Sequence, residues 1–239
     1  MEEKISMELS IIIPAFNEEK RLGSTLDKIR AFMAAKKMGL EVIVVDDGSY
    51  DGTSRVARES ALAGRLKLLR NRKNTGKGFS VAKGVAEASG RLILLSDADL
   101  STPIGEFDKL KGRIDGGADI AIGSRASALS QVLVRQPLYR QTMGRTFNFI
   151  IRFLVGEEFR DTQCGFKLFR KEAAKKIFPE LSIKGFAFDV EMLYLARRYG
   201  YKVEEVGVRW ENSLESKVNP LVSSLPMLRD VIKIRMAHR

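Results

Sequence analysis

Three short runs of consecutive aliphatic residues, Ile11–Ile13, Val42–Val45 and Leu92–Leu95, break off directly into polar, acid-rich sequence. A strand with one wet face alternates apolar and polar residues, so uninterrupted runs belong to strands covered on both faces, as in a parallel sheet between two helical layers. The segments between the runs have the matching period. Leu22, Leu26, Ile29 and Met33 recur at helical spacing and would line one face of a helix on the sheet. Strands are expected at Leu9–Ile13, Glu41–Val45, Leu66–Leu69, Arg91–Leu95 and Asp119–Ile122, with helices at Thr53–Ala63 and Gly78–Ala88. Another helix would start with Thr102 as N-cap and Pro103 in its first position, with Ile104, Phe107, Leu110 and Ile114 on its apolar face. This alternation implies an α/β fold, a mostly parallel open sheet with helices on both faces. No Pro/Ser-rich linker interrupts the chain, which reads as one domain over residues 1–239.

Open parallel sheets bind ligands beyond the carboxyl ends of their strands. Here three of those ends are acidic: Pro14-Ala15-Phe16-Asn17-Glu18-Glu19, Asp46-Asp47-Gly48-Ser49 and Ser96-Asp97-Ala98-Asp99. Two carboxylates as close as Asp97 and Asp99 repel each other unless a cation lies between them. So few oxygen ligands suit magnesium or manganese, ions that complete their shell with phosphate oxygens and water. The pair therefore points to a phosphate-bearing substrate, with a nucleotide diphosphate bridged by the ion. Glu18, Asp46 and Asp47 would accept hydrogen bonds from base and ribose groups. Asn74-Thr75-Gly76-Lys77-Gly78 opens a helix and combines glycines, a lysine and a helix N-terminus, all suited to an anion. The spacing is not that of a P-loop, and no Gly-x-Gly-x-x-Gly follows a strand, which argues against a dinucleotide-binding dehydrogenase.

A formal charge of +11 calls for an anionic partner, and a nucleic-acid module would leave the three acidic strand ends without a purpose. His238 is the sole histidine, which excludes a His-based triad or a His-ligated zinc site. The sole cysteine, Cys164, cannot make an internal disulfide, and the first residues lack the pattern of a signal peptide, so a cytoplasmic location is expected. The apolar runs are too short to span a bilayer. Arg135, Arg140, Arg145 and Arg152 punctuate an acid-free stretch rich in aliphatic and aromatic residues. With a helix over 142–154, the segment 130–154 is basic and amphipathic, fit for peripheral contact with an anionic membrane, and the tail at 221–239 has a similar character. Self-association is left open.

The motifs together resemble the family 2 glycosyltransferases with the GT-A nucleotide-diphospho-sugar transferase fold. The resemblance rests on Ile-Ile-Ile-Pro14-Ala-Phe-Asn17-Glu18, Val-Val-Asp46-Asp47-Gly48-Ser49, Asn74-Thr-Gly76-Lys77-Gly78 and Asp97-Ala98-Asp99. Gly123-Ser124-Arg125, Asp161-Thr-Gln163-Cys164-Gly165-Phe166-Lys167, Phe186-Ala-Phe188-Asp189-Val-Glu191 and Trp210 with Ser216-Lys217 are similar to the dolichyl-phosphate glucosyltransferase branch. The resemblance implies a nucleotide pocket bounded by Pro14, Ala15, Phe16, Glu18, Asp46, Asp47, Lys77, Asp97 and Ala98, with Asp97 and Asp99 as the metal-binding acids. Ser101 stands where some relatives carry a metal-contacting Gln. Arg125 and Arg140 match positions that handle phosphates, and Arg145, Gln163 and Lys217 are further candidates on the acceptor side. The implied reaction is inverting transfer of a hexose, glucose from UDP-glucose favoured, to dolichyl or polyprenyl phosphate. A phosphate dianion needs no general base, and Asp99, Arg125, Arg140 and Asp189 are the expected catalytic set. Two alternatives stand: mannose from GDP-mannose, or a sugar hydroxyl acceptor, which would require Asp189 or Glu191 as base.

Overall fold

A computed structural model of the chain describes residues 7–36, 38–62, 64–127, 130–132, 159–211, 229–230 and 233–238. Seven strands form one sheet: β1 (Leu9–Ala15), β2 (Leu40–Asp46), β3 (Leu66–Arg70), β4 (Leu92–Leu95), β5 (Ile120–Ser124), β7 (Lys167–Arg170) and β8 (Val203–Gly207). Their order is β3-β2-β1-β4-β7-β5-β8. A separate parallel pair joins β6 (Gln131–Val132) to β9 (Arg209–Trp210). The aliphatic runs are buried on both sides, as their lack of alternation requires. Ile11, Ile13, Val42, Val44 and Leu94 pack with α1 (Glu19–Lys36), α2 (Thr53–Arg58) and α4 (Phe107–Asp115). Ile12, Ile43, Val45, Ile93 and Leu95 face the opposite layer, made by α3 (Lys77–Glu87), α5 (Lys171–Ile177) and α6 (Phe188–Arg198). In α1 the expected Leu22, Leu26, Ile29 and Met33 are buried as one stripe, joined by Thr25 and Phe32.

The sheet departs from a simple parallel one at β7, which runs antiparallel to both β4 and β5. Its register sets Lys167 opposite Leu95, so the start of β7, not its end, lies at the rim where β4 gives way to Asp97. The loop 161–166 that feeds β7 is thereby brought to that rim. Charged residues at both ends of this four-residue strand mask it in the sequence, and the glutamates of β8 mask that strand in the same way.

Two helix boundaries also differ from expectation. The helix expected at Thr53–Ala63 ends at Arg58. Thr102 does not cap a helix: Pro103 stays extended, a 3-10 turn covers Ile104–Glu106, and α4 begins at Phe107. Thr102 is buried with its hydroxyl 4.0 Å from Cys164 Sγ, and the approach of the 161–166 loop draws it inward. The expected apolar face of Ile104, Phe107, Leu110 and Ile114 is buried all the same. The segment 130–154 beyond Val132, including the helix expected at 142–154, and most of the tail at 221–239 lie outside the described residues.

Chain order reverses between β1 and β4, because β1 has β2 on one side and β4 on the other. Such a switch point leaves a crevice at the carboxyl ends. Its floor depends on close packing of α3 against β1 and β2, where a Cβ at Gly84 would press into the Ile12 side chain and lie 3.1 Å from Val45 Cγ2. Gly84→Val should lower unfolding stability by about 1–3 kcal/mol through overpacking, read from the urea midpoint at unchanged slope.

Candidate active site

The loops after β1 and β2 are built on each other. Asn17 adopts a left-handed backbone, φ 56°, which its side chain supports by accepting from Tyr50 N at 2.9 Å. The N–H groups of Asn17 and Glu18 donate to Ser49 Oγ at 2.9 Å and Thr53 Oγ1 at 2.7 Å. Asp46 is fully buried: Oδ1 accepts from Ser49 N at 2.8 Å, and Oδ2 accepts the Ser54 hydroxyl. Asp47 accepts from Asn71 Nδ2 at 2.7 Å, Thr75 N at 2.9 Å and Gly76 N at 2.8 Å. The direct ligand contact expected of Asp46 is therefore not available in this geometry, since its carboxylate is spent on the turn that follows β2. Asp47 ties that turn to the entry of α3. Both acids are turned inward, a use of carboxylates that sequence cannot tell from an outward one.

The acids after β4 differ in being partly exposed. Asp97 Oδ1 accepts from Lys77 Nζ at 2.7 Å, and the Asp97 side chain retains 39% of its exposure. Asp99 accepts from Ser101 N at 3.0 Å and from Arg21 Nη1 at 3.4 Å. Arg21 in turn holds Glu18 through Nε at 2.6 Å and Nη2 at 2.5 Å, linking the rims of β1 and β4. Thr25 on α1 donates to the Ala98 carbonyl at 2.7 Å and steadies the turn between the two acids. Gly165 completes the cradle, because a Cβ there would collide with the Asp97 carboxylate. Burial opposes the charge on Lys77, but the carboxylates of Asp97, Asp189 and Asp99 outweigh it and raise the ammonium's pKa. Burial likewise favours the protonated form of Asp97, yet Lys77, Lys167 and Arg125 prevail and lower its pKa.

Asp97 and Asp99 offer hard oxygen donors of the kind that suit magnesium or manganese, and in this structure Lys77 and Arg21 pair with them. No group of three or more potential ligands among His, Cys, Asp and Glu exists among the described residues. Pro14, Lys77, Ser96, Asp97, Gly165 and Asp189 line a small pocket here.

The acceptor-side candidates divide. Arg125 forms a two-pronged ion pair with Asp161, Nε to Oδ2 at 2.7 Å and Nη2 to Oδ1 at 2.8 Å, and its guanidinium lies 5.5 Å from the Trp210 ring centre. Glu205 on β8 anchors the pair from behind by accepting from Asp161 N at 3.0 Å. Gln163 is half-buried in the same loop, with its N–H on Asp161 Oδ1 at 3.3 Å. Asp189 lines the pocket and takes Lys167 Nζ on Oδ1 at 2.5 Å; the fully buried ammonium also donates to the Cys164 carbonyl at 2.5 Å. Glu191 is turned away from the pocket: it accepts from Ser182 N at 3.0 Å, Ile183 N at 2.8 Å and His238 Nε2 at 2.7 Å. Its expected role as an alternative base is thus replaced by that of an anchor for the 181–185 loop and the chain's C-terminal turn. Arg140, Arg145 and Lys217 lie outside the described residues.

Arg21, Asp161, Gly165 and Lys167 belong to this constellation although composition and periodicity did not single them out. The available signal was Lys167 at the head of Leu168-Phe169, a charge where an apolar strand begins. Such a charge is buried only with a partner.

A family model described as glycosyl transferase family 2 matches residues 10–178. A Drosophila melanogaster protein named dolichyl-phosphate beta-glucosyltransferase is 40% identical over 98% of this chain and 76% of its own length. A Dictyostelium discoideum protein of the same name is 35% identical, over 96% of this chain and 74% of its own. The crystal structure of glucosyl-3-phosphoglycerate synthase from Mycobacterium tuberculosis with Mn2+, UDP and glucosyl-3-phosphoglycerate superposes with a TM-score of 0.68 at 21% identity, covering 98% of this chain and 80% of that one. At that identity the likeness establishes the shared GT-A fold.

The buried ion pair behind the pocket has a direct test. Lys167→Met strands the Asp189 charge and should cost about 3–5 kcal/mol in urea unfolding, whereas Lys167→Met combined with Asp189→Leu should regain most of that loss.

Proposed function

The chain belongs to glycosyl transferase family 2, and we propose that it moves glucose from UDP-glucose to dolichyl or polyprenyl phosphate, with inversion at the anomeric carbon. The observation that carries this reading is the partly exposed Asp97-Ala98-Asp99 turn at the switch point, in a chain aligned along nearly its whole length with relatives named for this reaction. Asp97 and Asp99 would hold a divalent magnesium or manganese ion, a Lewis acid that offsets the charge of the departing diphosphate.

The chain's own residues carry the rest. Pro14, Ala15, Phe16 and Ala98 bound the donor pocket, whose walls Asp46 and Asp47 stiffen from inside. Lys77, at the first turn of α3, brings a fixed positive charge to the diphosphate side. The acceptor is a phosphate monoester whose second pKa lies near ~6, so at neutral pH its oxygen attacks without giving up a proton. That oxygen bonds to the anomeric carbon while the bond from that carbon to the UDP oxygen breaks, and UDP leaves with the electron pair. No general base is required, which agrees with an Asp189 already engaged by Lys167; Asp189 orients groups in the pocket. Arg125, fixed by Asp161 and Trp210, presents a pre-oriented guanidinium for a phosphate, and Gln163 lies beside it. Arg140, Arg145 and Lys217 remain proposals on the same acceptor side.

Among the described residues no helix is long and apolar enough to cross a membrane. Access to a lipid-borne acceptor then calls for contact from the membrane surface by the described part of the chain.

Purified protein with UDP-glucose, a short polyprenyl phosphate and manganese should yield a glucosyl phosphate lipid, and GDP-mannose should yield none. Asp97→Ala or Asp99→Ala should reduce turnover by about 100-fold or more, and EDTA should do the same to the unaltered protein. Equal activity on the dephosphorylated polyprenol would overturn the acceptor assignment, and full turnover in EDTA the metal role.

A further inference from the structure

Phe166, Phe169, Phe186 and Phe188 lie close together in the sequence, and the fold separates them. Phe166, Phe169 and Phe188 are core residues, whereas Phe186 keeps 44% of its surface exposed. Phe79 on α3 is exposed to 39%. The segments that carry them touch. Phe79 N donates to the Lys184 carbonyl at 3.2 Å, and the Lys184 ammonium lies 5.9 Å from the Phe79 ring centre, with Phe186 two residues further along. The backbones can approach this closely because Gly76 and Gly78 leave no room for side chains: a Cβ at Gly78 would stand 2.6 Å from the Ile183 carbonyl oxygen. Phe79 follows the pocket residue Lys77 by two positions, and Phe186 precedes the pocket residues Phe188 and Asp189. Two exposed aromatic residues thus lie on adjoining segments that lead into the pocket residues Lys77, Phe188 and Asp189, with Lys184 over the Phe79 ring.

We propose that these segments form a lip on which the protein docks on an anionic lipid bilayer. The inference rests on the lipid acceptor proposed above and adds the face that reaches it. Charge selects the occupant. In the stretch 181–191 both carboxylates are turned inward, Asp189 onto Lys167 and Glu191 onto Ser182, Ile183 and His238, so Lys184 is the exposed charge of the loop. The C-terminal turn packs against the loop through Ile234, in contact with the cluster of Ile183, Ala187 and Val190. It exposes Arg229, Lys233 and Arg235, while its Asp230 is paired with Lys233 at 3.4 Å. Aromatic rings set among lysines and arginines match the boundary between acyl chains and anionic headgroups. A bilayer seated there brings the acceptor's phosphate to the mouth of the pocket without the acceptor leaving the membrane.

Co-sedimentation with vesicles of phosphatidylcholine containing phosphatidylserine tests the face without reference to activity. The unaltered protein should bind and lose affinity as salt rises. Phe79→Ser combined with Phe186→Ser should weaken binding by about tenfold, and Lys184→Glu should weaken it most at low salt, with UDP affinity unchanged in both. Transfer to long-chain polyprenyl phosphate in those vesicles should fall in the double variant, and transfer to a water-soluble short-chain isoprenyl phosphate should not. Vesicle binding indifferent to all three substitutions overturns the proposal, as does unaltered protein that ignores vesicles. Equal loss on soluble and vesicle-borne acceptors also overturns it, because the residues would then serve the pocket itself. If binding depends on the lip while neither acceptor is glucosylated, the docking face stands and the acceptor assignment falls.

Discussion

The rim of this sheet gathers more carboxylates than it could tolerate alone, and the structure depends on the cations paired with Asp97, Asp189, Asp161, Glu18 and Asp99. Lys77 lies on Asp97, Lys167 on Asp189, Arg125 on Asp161, and Arg21 joins Glu18 to Asp99. An ion taken from water without a partner costs several kcal/mol, so each pairing is a condition for the loops to close as they do. The pairs also differ in use. Lys167–Asp189 is sealed from solvent and braces the back of the pocket, whereas Lys77–Asp97 is partly open and borders the space a ligand would enter.

The antiparallel strand β7 makes that arrangement geometrically accessible. A parallel strand in its place would bring its carboxyl end to the rim; β7 brings its beginning, Lys167, and with it Asp161 and Gly165 of the loop before it. Gly165 lets this loop press against Asp97, and Lys167 ties it to α6. On the opposite side, Gly76 and Gly78 let the 183–185 backbone settle on the entry of α3. Glu191 fixes the start of that segment by accepting from Ser182 N and Ile183 N and bonding His238 near the chain's end. Pocket wall, docking lip and C-terminal turn are therefore one packed unit.

Much of the fold was legible because the signals were local. The aliphatic runs became β1, β2 and β4, and the stripe from Leu22 to Met33 became the buried face of α1. Thr102 misled because an N-cap signature concerns only neighbouring residues, while the side chain was drawn toward Cys164, 62 positions away. The strands β7 and β8 were illegible for a related reason: polar residues that read as loop become strand when β5 and distant partners cover them.

The sequence by itself determined the class of sheet, the acidic carboxyl rim and the position of the Asp97-Ala98-Asp99 turn, since burial on two faces and the end of a strand are written in consecutive residues. Only the tertiary structure decided which acids are spent inside the protein and which stay open. Asp46 and Asp47 sit beside each other at a strand end just as Asp97 and Asp99 do, yet the first two are consumed by backbone and side-chain donors and the second two remain partly exposed. The difference lies in the donors that folding brings up, among them Asn71 to Asp47 across 24 positions and Arg21 to Asp99 across 78. Pairings over such distances follow from how layers stack and loops cross, which local sequence pattern does not encode.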